Sequence, residues 1–186
     1  MTFFSPLNIG WLNGWIPIVF FYGVFFVLLR IVPKETVERL YDKTHWTNQQ
    51  ANLARIGLPF ALVGIILVLF TPLKIGQPFF WFGLALFLLG LVGFVSSLHT
   101  FNITPLAEPV TDGLYNISRN PQWVAFALGI IGTSFMVGSW TVFLLFMVRV
   151  LMNHFRIMGE ERALEIQYGD SYLEYKKSVP RYLLIF

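Results

Sequence analysis

Apolar positions along this chain gather into five runs, at 12–32, 51–70, 79–98, 124–137 and 140–157, with polar residues concentrated between them. A helix needs roughly 20 apolar residues to cross a bilayer core. The first three runs meet that length; the last two are shorter, and the fifth is interrupted by Arg149, Asn153 and His154. Punctuation agrees with the runs. Pro33 ends the first, Thr71-Pro72 closes the second, and a turn with Lys74, Gly76 and Pro78 opens the third. Pro121 suits a first helical position, where its missing N–H costs nothing, and Gly138-Ser139 reads as the turn of a helical hairpin. The third run carries Gly83, Ala85, Gly90, Gly93, Ser96 and Ser97, small enough for helices to approach closely. Trp11 and Trp15 stand where the first run meets the headgroup level. The pattern predicts an all-α, polytopic helical membrane protein of about five transmembrane helices, ending in a helical hairpin and cytoplasmic amphipathic tail helices.

The polar stretches add three elements. Residues 33–48 mix Lys34, Glu35, Glu38, Arg39, Asp42, Lys43 and His45 with Val37, Leu40 and Tyr41 at helical spacing. This reads as a short surface helix, more simply a solvated connector than a functional element. Residues 100–120 form a loop without a strong pattern, a length usually functional or disordered. The tail 159–177 reads as two short helices broken at Gly169-Asp170, and Val179-Pro180-Arg181 leads to a closing apolar patch. One membrane domain, 1–186, follows, with a three-span part at 12–100 and a loop, hairpin and tail at 101–181.

Composition sharpens this picture. Charged residues make up 12% of the chain and hydrophobic ones 56%, about half the ~25% charge of soluble domains. No cysteine is present, which excludes disulfides, thiolate metal sites and cysteine nucleophiles, and no metal site is indicated. The residues before the first run carry no Lys or Arg, and the run is too long for a signal peptide, so it reads as a retained span. A net charge of +3 confined to a few loops argues against nucleic-acid binding. Lys34, Arg39, Lys43, Arg119, Arg162, Lys176, Lys177 and Arg181 fall on one side of the predicted spans, and Lys74 on the other. The positive-inside rule then puts the N-terminus outside and the C-terminus in the cytoplasm.

Ionisable groups at a membrane edge are costly and functional by default. Arg119, Arg149, His154, Arg156, Glu160 and Glu161 all flank or interrupt the hairpin. Arg149, Asn153, Arg156 and Glu160 share one helical face. For Arg149 an ion-paired packing seam with Asn153 competes evenly with function. For Arg119, Arg156, Glu160 and Glu161 a polar pocket is the stronger reading, because separate segments contribute. His99 and His154 read as buried, hydrogen-bonded structural residues.

Gly113-x-Tyr115, Arg119-Asn120-Pro121-x-Trp123, Arg156-Ile157-x-x-Glu160-Glu161-x-x-Leu164, Tyr168-Gly169, Tyr172, Tyr175 and Val179-x-Arg181 together resemble the isoprenylcysteine carboxyl methyltransferase family. The related phospholipid N-methyltransferases share the pattern, which covers roughly 108–181. Two positions depart from it. Asn120 stands where the family usually has His, and can hydrogen-bond but not carry charge. Trp123 stands where Tyr is usual, keeping an aromatic wall without the hydroxyl. The resemblance implies S-adenosylmethionine as cofactor and methyl transfer to a lipophilic acceptor at the cytoplasmic face. It also implies cofactor contacts from Glu108, Pro109, Val110, Tyr115, Arg119, Asn120, Pro121, Trp123, Glu160 and Glu161, with Arg156, Glu160 and Arg119 in the catalytic group. A carboxylate acceptor such as a prenylated cysteine needs only orientation, whereas a lipid amine needs Glu160, Glu161 or His154 as base. Membrane lipid and a lipophilic or lipidated acceptor are the partners implied, with no obligate protein partner.

Two other readings stand beside it. Membrane sterol or enone reductases using NADPH resemble the same hairpin region through an Arg-His-Pro-Asn-Tyr element, where this chain has Arg119-Asn120-Pro121-Gln122-Trp123. A non-catalytic membrane protein of the same fold is the other.

Overall fold

The computed structural model describes residues 1–42 and 46–183. Lys43 and His45 of the predicted surface segment, and residues 184–186 of the closing apolar patch, lie outside the described residues. The chain forms helices α1 (Trp15–Ile31), α2 (Lys34–Tyr41), α3 (Asn48–Phe70), α4 (Pro78–Ile103), α5 (Pro121–Met136), α6 (Trp140–Tyr168) and α7 (Asp170–Ser178). A 3-10 turn occupies Gly113–Asn116. Helices α3, α4 and α6 are long and apolar enough to cross a membrane, while α1 and α5 are shorter apolar helices.

One predicted boundary moves. The fifth apolar run and the first tail helix are a single 29-residue helix, α6. Residues 158–165, Met-Gly-Glu-Glu-Arg-Ala-Leu-Glu, are mostly strong helix formers, so nothing stops the helix where the apolar run ends. At 1.5 Å per residue α6 reaches about 43 Å, well past a ~30 Å hydrocarbon core. The break predicted at Gly169 is present: its φ of +56° is left-handed, which suits glycine, and α7 starts from it. The predicted loop at 100–120 is shortened by the last turn of α4 and interrupted by the 3-10 turn.

Backbone hydrogen bonds gather the turns at one end of the bundle. Leu73 donates to the carbonyl of Leu12 at 2.9 Å, Lys74 to Met136 at 2.9 Å, and Thr2 to Gly138 at 2.9 Å. The N-terminal segment, the α3–α4 turn and the α5–α6 turn therefore lie together. Helix α2, the α4–α5 loop, the start of α5, the second half of α6 and α7 occupy the other end.

Glycines set the helix spacing. Helix α4 packs mainly on α5, and α3 on α6. A Cβ on Gly83 would lie 2.5 Å from the carbonyl oxygen of Gly132, and one on Gly132 would lie 2.5 Å from that of Gly83. A Cβ on Gly90 would meet the carbonyl of Ala125 and the amide of Gly129, each at 2.6 Å. Of the small residues read in the third run, Gly83 and Gly90 sit in this contact, whereas Ala85 and Ser96 are exposed. Where the third run ends, His99 is exposed too, not the buried histidine expected. Phe21, Phe87 and Phe94 fill the core beside the α4–α5 pair. Gly132→Val should destabilise the fold by roughly 3 kcal/mol, since the clash is with backbone and the helices must part. Thermal unfolding in detergent checks this against Gly23→Ala, whose new methyl meets nothing within 4 Å.

Candidate active site

The cleft end of the bundle is built around one buried carboxylate. Glu161 is 2% exposed, and its oxygens are surrounded by donors. Arg119 Nε donates to Oε1 at 3.2 Å, Asn120 Nδ2 to Oε1 at 3.0 Å, Arg181 Nε to Oε1 at 3.1 Å and Arg181 Nη2 to Oε2 at 2.9 Å. Arg119 is committed further, with Nη1 donating to the carbonyls of Lys176 at 2.8 Å and Val179 at 2.6 Å. Its backbone amide donates to Pro180 at 2.9 Å. The hydrogen bonds from Arg181 to Glu161 push the guanidinium pKa of Arg181 above its ordinary value. This group ties the start of α5, the second half of α6 and the chain after α7 into one frame.

Glu160 points elsewhere. Adjacent helical residues lie about 100° apart around the axis, so the pair Glu160-Glu161 faces two surroundings. Glu160 Oε1 accepts from Arg156 Nε at 2.8 Å, and Oε2 accepts from Trp123 Nε1 at 2.8 Å. The Arg156 guanidinium lies over the Trp123 ring at 4.5 Å and over the Trp46 ring at 5.6 Å. Trp46 also rests on Gly159, where a Cβ would come within 3.1 Å of its ring. Arg156 is thus held between two indoles and one carboxylate, an arrangement that fixes a planar cation.

These groups border a cleft of about 600 Å³. Tyr115, Arg119, Asn120, Pro121, Trp123, Arg156 and Glu160 line it, joined by Glu35, Glu38, Arg39 and Asp42 from α2 and its end, and by apolar Phe101, Leu106 and Leu164. Of the residues singled out in the sequence, Glu108, Pro109, Val110 and Glu161 do not border it. Val110 is buried instead with Tyr115, Tyr172, Tyr175 and Val179 beneath the tail. Tyr115 accepts from Gln122 Nε2 at 3.0 Å, and burial raises its phenol pKa well above the usual value, so it stays protonated. His154 is partly buried, with Nδ1 2.8 Å from the Tyr182 hydroxyl.

Helix α2 is the element whose role the sequence understated. It is no solvated connector: Arg39 reaches across to donate to the carbonyls of Thr104 at 3.3 Å and Glu108 at 2.8 Å and to the Tyr168 hydroxyl at 2.9 Å. Its guanidinium also lies 4.8 Å over the Phe101 ring. Carbonyls left without partners past the end of α4 supply the acceptors, and α2 is drawn over the cleft. The amphipathic spacing of Val37, Leu40 and Tyr41 signalled a helix; nothing local signalled what it would cover. Trp46 carried no signal at all.

A second cavity, of about 270 Å³, adjoins the first. Phe21, Phe25, Phe94 and Phe126 make it largely aromatic, with Tyr22 and Arg149 also on its lining. Leu40, Gln122, Trp123 and Arg156 border both cavities and form the wall between them.

The bundle, with three helices long and apolar enough to cross a membrane, thus carries a polar cleft at one end and a largely aromatic cavity beside it. The family model for phospholipid methyltransferase matches residues 78–171, and the chain belongs to that family. Over 73 residues, 38% of this chain, it is 42% identical to the protein-S-isoprenylcysteine O-methyltransferase of Schizosaccharomyces pombe. The matched stretch spans 30% of that relative's length. No solved structure matches the chain.

Proposed function

We propose that this protein transfers a methyl group from S-adenosylmethionine to a lipophilic acceptor, an isoprenylcysteine carboxylate or a phospholipid amine, at the cytoplasmic face of a membrane. The observation that carries the reading is the shared wall. A polar cleft and an aromatic cavity share Leu40, Gln122, Trp123 and Arg156 as a common wall, so a polar donor and an apolar acceptor can approach the same point from opposite sides. Family membership and the similarity to an isoprenylcysteine O-methyltransferase support the methyl-transfer class over the NADPH reductase and non-catalytic readings.

The cleft's donor set suits the cofactor. Its volume falls in the range of small-molecule sites. Carboxylates at Glu35, Glu38 and Glu160 suit an ammonium and ribose hydroxyls, Arg156 and Arg39 a carboxylate, and Phe101, Leu106 and Leu164 a purine. The cofactor supplies an activated methyl on a sulfonium, so the protein contributes position and field rather than covalent chemistry. Glu160 and Arg156 hold polar groups at the wall, with Trp123 and Pro121 shaping its surface. Arg119, Asn120 and Glu161 keep that wall in place from behind. An acceptor carboxylate is ionised at neutral pH and needs only a cation to orient it. For an amine, Glu160 is the base at hand, since it borders the cleft and Glu161 and His154 do not.

Orientation follows from charge. Lys34, Arg39, Arg119, Arg162, Lys176, Lys177 and Arg181 belong to the cleft end, and Lys74 to the other. The positive-inside rule supports a cytoplasmic cleft and C-terminus and an N-terminus on the far side.

Calorimetric titration of the detergent-solubilised chain with S-adenosylhomocysteine tests the reading. Binding in the micromolar range is expected, with transfer of tritiated methyl to a micellar lipophilic acceptor. Binding of NADPH alone, or transfer only to water-soluble acceptors, would refute it.

A further inference from the structure

Arg149 is the charge that the site described above does not use. It sits on α6 two turns before Arg156 and is 9% exposed. Its Nη1 has no hydrogen-bond partner among the described residues. Gly57 on α3 makes room for it, since a Cβ there would lie 3.3 Å from Arg149 Cδ and 3.4 Å from Nη1. Among the described residues, no Asp or Glu lines the aromatic cavity it borders. The seam with Asn153 that its spacing suggested is not made: the Asn153 Oδ1, one turn along, is also buried without a partner among the described residues.

A guanidinium stays protonated in any protein setting, and an unpaired buried charge is expensive. The neighbouring cation on the same cavity, Arg156, is neutralised by Glu160 at 2.8 Å. One positive charge is therefore left over, facing an apolar cavity at the level of the membrane-spanning helices. A ligand that fills such a cavity favourably brings an apolar body and one anionic group.

Resting on the methyl-transfer reading for the chemistry that follows, we propose that Arg149 is a specificity-determining residue: it pairs with the anionic head, carboxylate or phosphate ester, of the lipophilic acceptor in the aromatic cavity. Acceptors with the same tail and no negative charge leave Arg149 unpaired and are rejected. Selection then depends on the cavity's charge as well as on its apolar lining.

The test is equilibrium binding without cofactor, read by tryptophan fluorescence in non-ionic detergent. The probes are N-acetyl-S-farnesylcysteine and its methyl ester, which differ by one negative charge. The wild type should bind the acid roughly 10- to 100-fold more tightly than the ester, the span of one charge-assisted hydrogen bond. Arg149→Met should bind both alike, at the wild-type ester affinity, and Arg149→Lys should recover part of the preference. The unfolding midpoint of Arg149→Met should stay level or rise, because an apolar replacement removes an unpaired buried charge; a fall would mark a structural cation and overturn the proposal. Lysophosphatidylethanolamine that displaces the acid from the wild type supports the phosphate as the group recognised. No displacement supports the carboxylate. Equal affinity of the wild type for acid and ester, or an acid preference that survives in Arg149→Met, would also overturn it. An acid preference lost in Arg149→Met, with no methyl transferred from S-adenosylmethionine to either probe, would remove the methyl-transfer reading and leave the role of Arg149 standing.

Discussion

Glu161→Gln should cost the folded protein about 3–5 kcal/mol, the range for removing one partner of a buried ion pair. The substitution keeps the shape and one acceptor oxygen but removes the charge that balances Arg119 and Arg181. Arg119 is the critical loss. Its side chain is 2% exposed and cannot turn to water, because its remaining donors are fixed on the carbonyls of Lys176 and Val179. Arg181, at 20% exposed, has a partial escape. The start of α5, α6 and the segment after α7 should loosen together, since one carboxylate joins all three. Thermal unfolding in detergent reads the loss directly, and proteolysis near residues 176–183 should accelerate with it. An unchanged midpoint would mean that the cluster does not hold the frame.

The neighbouring change should do something different. Glu160→Gln should weaken S-adenosylhomocysteine binding by roughly 10- to 100-fold while moving the unfolding midpoint little, on the magnitude of one charge-assisted hydrogen bond. Glu160 is part-exposed at 23% for its side chain and pairs within its own helix with Arg156, a kind of pair that contributes little to stability. Arg156 would keep its two indoles at 4.5 and 5.6 Å, so the wall should stay standing with one charge fewer. Titration calorimetry beside a melting curve separates the two carboxylates. If both variants lose stability alike, or both lose binding with intact stability, the division of labour between them is wrong.

The extent to which the sequence foretold the site differs between these residues for a physical reason. Arg119, Glu160 and Glu161 stood out because ionisable groups beside apolar runs are rare, and the family resemblance linked segments 42 residues apart, as in the Arg119–Glu161 pair. Which of two adjacent carboxylates faces the cleft was not legible, because a helical periodicity says that they diverge and not what each one meets. Helix α2 was readable as amphipathic, but its place over the cleft depends on Arg39 finding the carbonyls of Thr104 and Glu108, more than 60 residues away. Trp46 lies in no recognisable pattern; its place comes from the flat surface at Gly159.

Local pattern by itself determined the helices, their approximate ends, the turns at Gly138 and Gly169, and the side of the bundle on which positive charge collects. Each of these follows from hydrophobic periodicity and backbone preference, which act between near neighbours in the chain. Only the tertiary structure decided that Glu161 is enclosed and Glu160 open, that Arg149 is buried with no counter-charge among the described residues, and that a polar cleft and an aromatic cavity share one wall. Those outcomes depend on how close α4 and α5 or α3 and α6 come, and on which donors then find which acceptors. Packing over the whole chain sets both.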